Sequence, residues 1–347
     1  MTRFRRWCRA LPALGLGLFL TACASDAPQD VFEPAGRPAR LIDDLQRPIF
    51  GFAIFVFFLV QVLVVVAVVK FRRRPGDEEF PEQLHGNTRL EIGWTILPAL
   101  VLVGVGVMTL PVIFDVSDNP PAGSLEVEVT GQKYWWAYTY PEQSELGIDQ
   151  AIVTANELHI PAGQPVKLTL RSKDVIHSFW APRLNGKRDV VPGRVHDWNL
   201  EADAPGVYSG QCAEFCGTSH ANMRLKVVAH GPDDWEEWLG RMQDAPSTPS
   251  SGDEAEGFAL FEQKGCAGCH RVEGQYEVVA DDSPPAPDLT HLYSRDCFAG
   301  CIYDLTDTNE LKAWLRNPQR KAGSLMQIGP LTEAEIETLV AYLKTLE

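Results

Sequence analysis

The sequence predicts a multidomain membrane protein that consists of a two-helix transmembrane hairpin, an all-β domain and a small all-α domain. Two long apolar segments lie in its first third, an alternating apolar pattern follows, and a polar linker precedes a helical segment. A chain of 347 residues is expected to hold two or three domains. We divide it into residues 1–22 (signal peptide), 23–47 (N-terminal segment), 48–114 (two helices), 115–230 (β domain), 231–253 (short helix and linker) and 254–347 (helical domain).

The first residues have the form of a secretory signal. A basic start is followed by an apolar run over residues 10–20 and by small residues, which is typical of exported proteins. The sequence Leu-Thr-Ala-Cys at residues 20–23 resembles a bacterial lipoprotein box, which implies that Cys23 carries a lipid and begins the mature chain. An ordinary signal peptide that is cleaved nearby, or an uncleaved first helix, are the alternatives. Each of them places the N-terminus on the outer side of the membrane.

Two apolar segments are long enough to cross a bilayer, which takes about 20 residues. The first covers residues 48–69 and is interrupted by Gln61 alone; the second covers residues 92–114. The basic residues Lys70, Arg72, Arg73 and Arg74 follow the first segment, so the positive-inside rule places the connecting loop in the cytoplasm. The sequence therefore predicts two spans in a bacterial inner membrane, with the rest of the chain on the periplasmic side.

Beyond the second span the apolar pattern has a period of two. Leu125, Val127 and Val129 alternate with polar residues, and turns such as Pro192-Gly193 separate the runs. This pattern predicts an all-β sandwich or barrel.

The charge is uneven along the chain. The formal net charge is -15, and the acidic surplus lies beyond the second span. An acidic surface repels nucleic acid and attracts basic proteins, so we expect no nucleic-acid partner.

A set of soft metal ligands lies within twelve residues: Cys212, Cys216, His220 and Met223. Cysteine and methionine sulfurs together with an imidazole favour copper in an electron-transfer role. A second cysteine provides a second bridging thiolate, which suits a pair of copper ions, and His177 is the best placed second histidine. The alternative is a disulfide between the two cysteines.

The last domain opens with a haem-attachment motif. In Cys266-Ala-Gly-Cys269-His270 the two thiols would bond to the haem vinyl groups and His270 would be the proximal ligand. A helical segment precedes the motif and an amphipathic helix is expected over residues 332–346, which together fit a small class I cytochrome c.

The sixth ligand of the haem is assigned by elimination among the five methionines. Met1 is removed with the signal peptide, Met108 lies in the membrane, Met223 belongs to the copper set and Met242 is placed in the linker, which leaves Met326. A Met/His pair raises the haem potential. The backbone of residues 286–290 is expected to accept the other ring N–H of His270.

The segments at residues 174–180, 187–194 and 212–223 resemble the binuclear copper (CuA) domain of cytochrome c oxidase subunit II. The resemblance implies a cupredoxin-like Greek-key fold in which Cys212 and Cys216 bridge two coppers and His177 and His220 are terminal ligands. It also implies weak axial ligation by Met223 and by the Glu214 carbonyl. The Glu214 side chain would bind magnesium at the boundary with subunit I.

The resemblance extends to two further features. Glu91 stands where the family has the entrance of a proton path into subunit I. Tyr134, Trp135 and Trp136 stand where an aromatic patch receives electrons from cytochrome c, although the family order is Gln-Trp-Tyr-Trp and this chain has Lys133-Tyr134-Trp135-Trp136. The departure fits a chain whose donor is no longer a free protein.

Cys297 and Cys301 belong to neither motif. Their spacing accommodates a disulfide in an exported domain, and metal binding by two cysteines alone is not expected.

Together these features resemble subunit II of a caa-type haem-copper oxidase with a fused cytochrome c. The resemblance implies oxidase subunits I and III as partners, and a bc complex or a soluble cytochrome c as electron donor. A quinol oxidase subunit II would lack the copper ligands. A subunit of a nitric oxide reductase and a freestanding membrane electron carrier remain as alternatives.

Overall fold

A computed structural model describes residues 27–73, 76, 83, 85–117, 120–276 and 286–347. The predicted signal peptide and Cys23 lie outside the described residues. The α-helices are α1 Arg37–Phe71, α2 Thr88–Ser117, α3 Pro232–Met242, α4 Gly252–Gln263, α5 Thr308–Arg316 and α6 Glu333–Leu343. The strands are β1 Leu125–Gln132, β2 Trp135–Tyr140, β3 Ile152–Ala155, β4 Glu157–Pro161, β5 Val166–Ser172, β6 His177–Trp180, β7 Arg188–Val190, β8 His196–Leu200, β9 Gly206–Cys212, β10 Arg224–His230, β11 Cys297–Phe298 and β12 Tyr303–Asp304.

Helices α1 and α2 are both long and apolar enough to span a membrane. Helix α1 has 35 residues and begins at Arg37, well before the apolar segment that predicted it. Its first turns pack against the β domain, where the Arg40 guanidinium pairs with Asp203. The backbone N–H of Ala35 donates to the carbonyl of Arg183 at 2.7 Å. The first span is therefore continuous with a helical stem that holds the β domain.

Helix α2 begins with a side-chain cap. The Asn87 side-chain oxygen accepts the backbone N–H groups of Arg89 (3.1 Å) and Leu90 (3.3 Å), which satisfies two donors at the helix start. Glu91 lies in the first turn of this helix and is exposed.

The β domain is a sandwich of two five-stranded sheets, and the predicted all-β fold is confirmed. One sheet has the strand order β3-β2-β1-β5-β8 and the other β4-β10-β9-β6-β7. In each sheet one pair is parallel, β1 with β5 and β4 with β10. Inward-facing residues of both sheets form a single core that includes Trp136, Tyr138 and Leu168. A core of this kind fixes the ends of the strands, from which the candidate ligands project.

Helix α3 closes one end of the sandwich. Its Trp238 is fully buried and stacks on His159, with ring centroids 4.6 Å apart. Met242 ends this helix and is buried, so its placement in the linker was wrong. The tryptophan supplies enough apolar surface to hold the helix end inside the core.

The C-terminal domain packs helix α4 against helix α6. Gly257 permits this approach, because a Cβ atom there would come within 2.2 Å of the Thr338 carbonyl oxygen. Helix α6 starts with a capping box in which Thr332 and Glu335 each bond to the backbone of the other. The predicted C-terminal helix is therefore present and its start is well defined.

Candidate metal centres

The side chains predicted to bind copper converge at one edge of the sandwich. The Cys212 and Cys216 sulfurs lie 3.9 Å apart, and Cys212 Sγ lies 3.9 Å from His177 Nδ1. Cys216 Sγ lies 3.7 Å from His220 Nδ1 and 3.9 Å from Met223 Sδ. The structure thus brings together two thiols, each with its own imidazole, and one thioether.

Strand ends and one loop hold these donors in place. His177 begins β6, Cys212 ends β9, and the loop between β9 and β10 carries the others. The backbone N–H of Cys212 donates to the Met223 carbonyl at 2.8 Å, which closes this loop at its base. The N–H of Ala213 donates to the carbonyl of Ser178 at 2.9 Å and ties the loop to β6. The sandwich therefore sets the spacing of the donors before any metal is bound.

The spacing fits a bridged metal pair better than a disulfide. A disulfide requires sulfurs about 2.05 Å apart, and both cysteines are free thiols. At 3.9 Å, one metal ion could lie about 2.3 Å from both sulfurs at once, a usual metal-thiolate distance. Each sulfur has a different imidazole nitrogen within 3.9 Å, so two ions could share the thiolates. The donor set of sulfur, imidazole and thioether fits copper.

Electrostatics favour a thiolate in this cluster. The contact with the Cys216 thiol lowers the pKa of Cys212 well below its usual range, and His177 and the backbone at Glu214 and Ser178 act in the same direction. Because a thiolate is the form that binds metal, at least one bridging ligand needs little energy to deprotonate.

Asp174 orients His177, a role that the sequence did not reveal. Its Oδ1 lies 2.7 Å from His177 Nε2, which leaves Nδ1 directed at Cys212. Such a carboxylate fixes the ring and the tautomer of a ligating histidine. The spacing of three residues from His177 is the signal that could have found it.

Glu214 contributes to this site through its backbone. Its carbonyl oxygen lies 3.3 Å from Cys212 Sγ, so it is close enough to the thiol pair to be a further ligand of a bound metal. Its side chain accepts the N–H of Phe215 at 3.2 Å. Among the described residues, its carboxylate belongs to neither of the close groups of metal-ligating side chains. Magnesium binding at Glu214 thus stays a prediction.

The haem-attachment motif forms a tight turn. Cys266 begins a short 3₁₀ helix, and the N–H of His270 donates to the Cys266 carbonyl at 3.0 Å. The other expected contact of the histidine is confirmed: His270 Nδ1 lies 2.8 Å from the carbonyl oxygen of Pro287, to which it donates as the N–H tautomer. Burial lowers the pKa of His270 and keeps the imidazole neutral, as metal ligation requires. Two thiols and one oriented imidazole fit a covalently attached haem.

Met326 lies on a separate loop and packs against the core of the helical domain. Its sulfur accepts the indole N–H of Trp314 at 3.2 Å. No contact measured among the described residues joins Met326 to His270, so its role as sixth ligand stays a prediction.

The three aromatic residues at the start of β2 are separated by the fold. Tyr134 lies over the copper loop, where a Cβ atom on Gly217 would come within 2.6 Å of its hydroxyl. Trp136 is fully buried, with its ring 6.0 Å from that of His177. Trp135 packs on the opposite face of the strand in a small cluster. The structure therefore brings two of the three close to the copper ligands.

Cys297 and Cys301 are joined by a disulfide, with Cα atoms 4.8 Å apart. The buried Glu157 of the β domain lies beside them. The helical domain therefore contacts the β domain through this pair.

These centres and the two spans define a membrane-anchored protein with a copper-type β-sandwich and a cytochrome-type helical domain. Residues 29–112 match the family described as cytochrome c oxidase subunit II, transmembrane domain, and residues 125–230 match its periplasmic domain. Residues 254–347 match the cytochrome c family.

The chain is similar to subunits of bacterial terminal oxidases. Cytochrome c oxidase subunit 2 of Alkalihalophilus pseudofirmus is 36% identical over 98% of this chain and 97% of its own length. The corresponding subunit of Bacillus subtilis is 33% identical over 82% of this chain and 83% of its own. Quinol oxidase subunit 2 of Bacillus cereus is 30% identical over 68% and 79%. The chain belongs to the cytochrome c oxidase subunit II family and carries a C-terminal cytochrome c domain.

Proposed function

We propose that this chain is the electron-entry subunit of an aerobic terminal oxidase of the caa type. Electrons would arrive at the cytochrome c domain from a bc complex or a soluble cytochrome c. They would pass to the copper domain and then to subunit I, where oxygen is reduced to water and protons are pumped. The chain itself performs no bond chemistry, because its residues hold the carriers and set their potentials and spacing.

The observation that carries this proposal is the position of the cytochrome c domain on the aromatic entry to the copper loop. Tyr134 is only 8% exposed although it lies at the domain surface. A Cβ atom on Gly323, in the loop that leads to Met326, would come within 3.3 Å of the Tyr134 ring and 3.1 Å of Thr218. The loop with the predicted axial methionine therefore contacts the copper loop directly, which is where an electron donor must lie.

The copper pair and the haem would each be a one-electron carrier when bound. Cys212 and Cys216 would hold the copper pair together with His177, His220 and Met223. Cys266 and Cys269 would bond the haem. Asp174 would orient His177, and Pro287 would orient His270.

The electron acceptor of the copper domain would be subunit I. Phe215, in the copper loop, is 75% exposed, and the apolar faces of α1 and α2 are exposed along their length. An apolar ring beside the copper ligands and two uncovered spans fit a contact with a large membrane subunit. Glu91 at the start of α2 would then lie at that contact as a proton entrance, and magnesium at Glu214 would lie between the subunits. Subunit III would complete the assembly in the inner membrane.

Purification of the tagged full-length chain from its own membranes tests the function. We expect a many-span subunit to copurify and the complex to consume oxygen when a reduced c-type cytochrome is added. A complex that reduces nitric oxide and not oxygen would contradict the oxidase and favour a nitric oxide reductase. Isolation of the chain without a large partner under mild detergent conditions would favour a freestanding carrier.

A further inference from the structure

The disulfide-closed loop at residues 297–301 has an unusual backbone. Ala299, Gly300 and Cys301 have φ angles of 52°, 78° and 52°, so three consecutive residues are left-handed. Residues other than glycine rarely adopt this conformation, which costs free energy at Ala299 and Cys301. A loop with this shape on a domain surface is expected to be held by what it contacts.

The tip of this loop lies between residues that flank Met223. The Gly300 carbonyl accepts the backbone N–H of Arg224 at 3.0 Å. A Cβ atom at position 300 would come within 2.5 Å of the Asn222 carbonyl oxygen and 2.9 Å of the Tyr134 carbonyl oxygen. The space at the tip therefore admits a glycine alone.

The base of the loop is held by a buried carboxylate of the β domain. Glu157 is 1% exposed, and its Oε1 accepts the backbone N–H groups of Asp296 (3.0 Å) and Cys297 (2.9 Å). Lys226 Nζ lies 3.6 Å from Glu157 and 3.7 Å from the Asp296 side chain. A carboxylate buried in this way needs those donors, because leaving it unpaired is costly.

Lys321 joins the two domains at a second point. Its Nζ donates to the carbonyl of Tyr134 at 2.8 Å and to that of Ala299, within its own domain, at 2.7 Å. The side chain is 4% exposed. A neutral amine still has two N–H donors, so both bonds persist in either protonation state.

We propose that the disulfide-closed loop of residues 297–301, with Lys321, is the docking element that seats the cytochrome c domain on the copper loop of the same chain. The partner surface consists of Tyr134, Glu157, Asn222 and Arg224. This inference rests on the proposed function and gives it a structural device, since the loop would fix the separation of the two carriers. A small contact area suffices because the linker at residues 243–251 makes docking intramolecular and raises the effective concentration.

Two variants of the full-length protein test the proposal, and each removes a different contact. Gly300→Ala places a methyl group against two carbonyl oxygens, and Lys321→Met removes both hydrogen bonds. Gly274→Ala is the matched control, because Gly274 has a φ of 70° in the same domain and, among the described residues, a Cβ atom there would meet Ala245 at an ordinary contact distance of 3.7 Å.

Backbone hydrogen exchange followed by mass spectrometry reads out docking without reference to activity. In both variants we expect faster exchange in peptides that cover residues 222–226 and 296–301, while helix α6 stays protected. The rate of electron transfer from haem to copper is the second readout. This rate should fall about tenfold or more, because only the docked state brings the two carriers close together. A tenfold loss of the docked state corresponds to about 1.4 kcal/mol. The Gly274→Ala variant should match the wild type in both.

If both peptides exchange at the wild-type rate in both variants, the docking proposal is overturned. This result does not depend on which cofactors the protein binds. If Gly300→Ala also deprotects α6, the domain has unfolded, and the Lys321→Met result decides alone. If the wild-type protein protects both peptides more than the variants do but transfers no electron from haem to copper, the proposed function is contradicted. The docking proposal is then still supported.

Discussion

The copper loop and the haem segment hold their ligands by different means. In the copper domain, each donor from β6, β9 and the following loop lies within 3.9 Å of at least one other donor, although they are up to 46 residues apart in the chain. In the cytochrome c domain, Cys266, Cys269 and His270 are adjacent in sequence, while Met326 lies on a distant loop held by Trp314. The copper site is thus built by the tertiary fold, whereas the haem site is built by local sequence and completed by covalent attachment.

The two centres are therefore expected to respond differently to the loss of a ligand. Copper binding depends on every element of a rigid sandwich, and a change in one ligand removes the pair. Haem binding depends on two covalent bonds, so the loss of the distant ligand changes the properties of the haem but does not release it.

The largest effect is expected for Cys216→Ser. The substitution removes one of the two bridging thiolates, and a hydroxyl group is a poor ligand for copper. We expect the copper pair to be lost while the haem content stays at one per chain, as measured by metal analysis and pyridine haemochrome spectra.

The double substitution Cys297→Ser/Cys301→Ser is the control for this experiment. It should retain the full copper content, and it should remove no free thiol, because those two cysteines are bonded to each other. Full copper binding by the Cys216→Ser protein would show that the copper site does not depend on both thiolates.

The substitution Met326→Ala tests the other half of the comparison. The haem should stay attached through Cys266 and Cys269, but its midpoint potential should fall because the thioether ligand is lost. Axial ligands shift haem potentials over a range of about 0.8 V, so the change is measurable by redox titration. Met242→Leu, at a buried methionine that ends α3, should leave the potential unchanged. A potential unaffected by Met326→Ala would exclude Met326 as the axial ligand.

Asp174→Asn sharpens the claim that the copper site is built by the surrounding fold. The amide oxygen accepts the His177 Nε2–H more weakly than the carboxylate that lies 2.7 Å from it, because the amide carries no charge. Loss of such a contact typically lowers metal affinity about 10- to 100-fold. Competition with a copper chelator measures this, and Asp197→Asn, at an exposed position on β8, is the control. Equal affinity in the two variants would mean that Asp174 does not position the ligand.

The smallest effect concerns the pH dependence of the sandwich. Burial lowers the pKa of His159 well below 6.5, with His230 and Arg295 acting in the same direction, and His159 Nδ1 lies 2.8 Å from His230 Nε2. The unfolded chain therefore binds more protons than the folded one below pH 6.5, and stability falls as the pH falls through that value.

The expected loss of unfolding free energy is about 1.4 kcal/mol per pH unit for each such histidine. Denaturant unfolding between pH 7.5 and about 5.5 measures it. His159→Phe, which keeps an aromatic ring beside Trp238, should flatten the profile. An identical slope in this variant would place the dependence elsewhere.

Sequence patterns predicted the fold, and they indicated side chains that the structure brings together, because such patterns repeat or follow fixed spacings. The period of two gave the sandwich, and the short spacings gave the groups around Cys212 and Cys266. The length of α1 was not predictable, since its first turns are held by packing against the β domain and by the Arg40 pair with Asp203.

The roles of single polar residues at tertiary contacts were also not predicted from the sequence. Glu157 and Lys321 form no repeat or spaced motif, and their partners include backbone groups of the other domain. Asp174 lies three residues before His177, but that spacing alone does not show that its carboxylate contacts the imidazole. The aromatic run at residues 134–136 was treated as one patch, but neighbouring residues on a strand point to opposite faces, so Trp135 and Trp136 lie apart.

The most direct test of the account is the metal and haem content of the purified full-length chain together with its electron paramagnetic resonance spectrum. The account predicts two coppers per haem c and a signal from one unpaired electron shared between the coppers. One copper per haem, or none with a disulfide between Cys212 and Cys216, would contradict it.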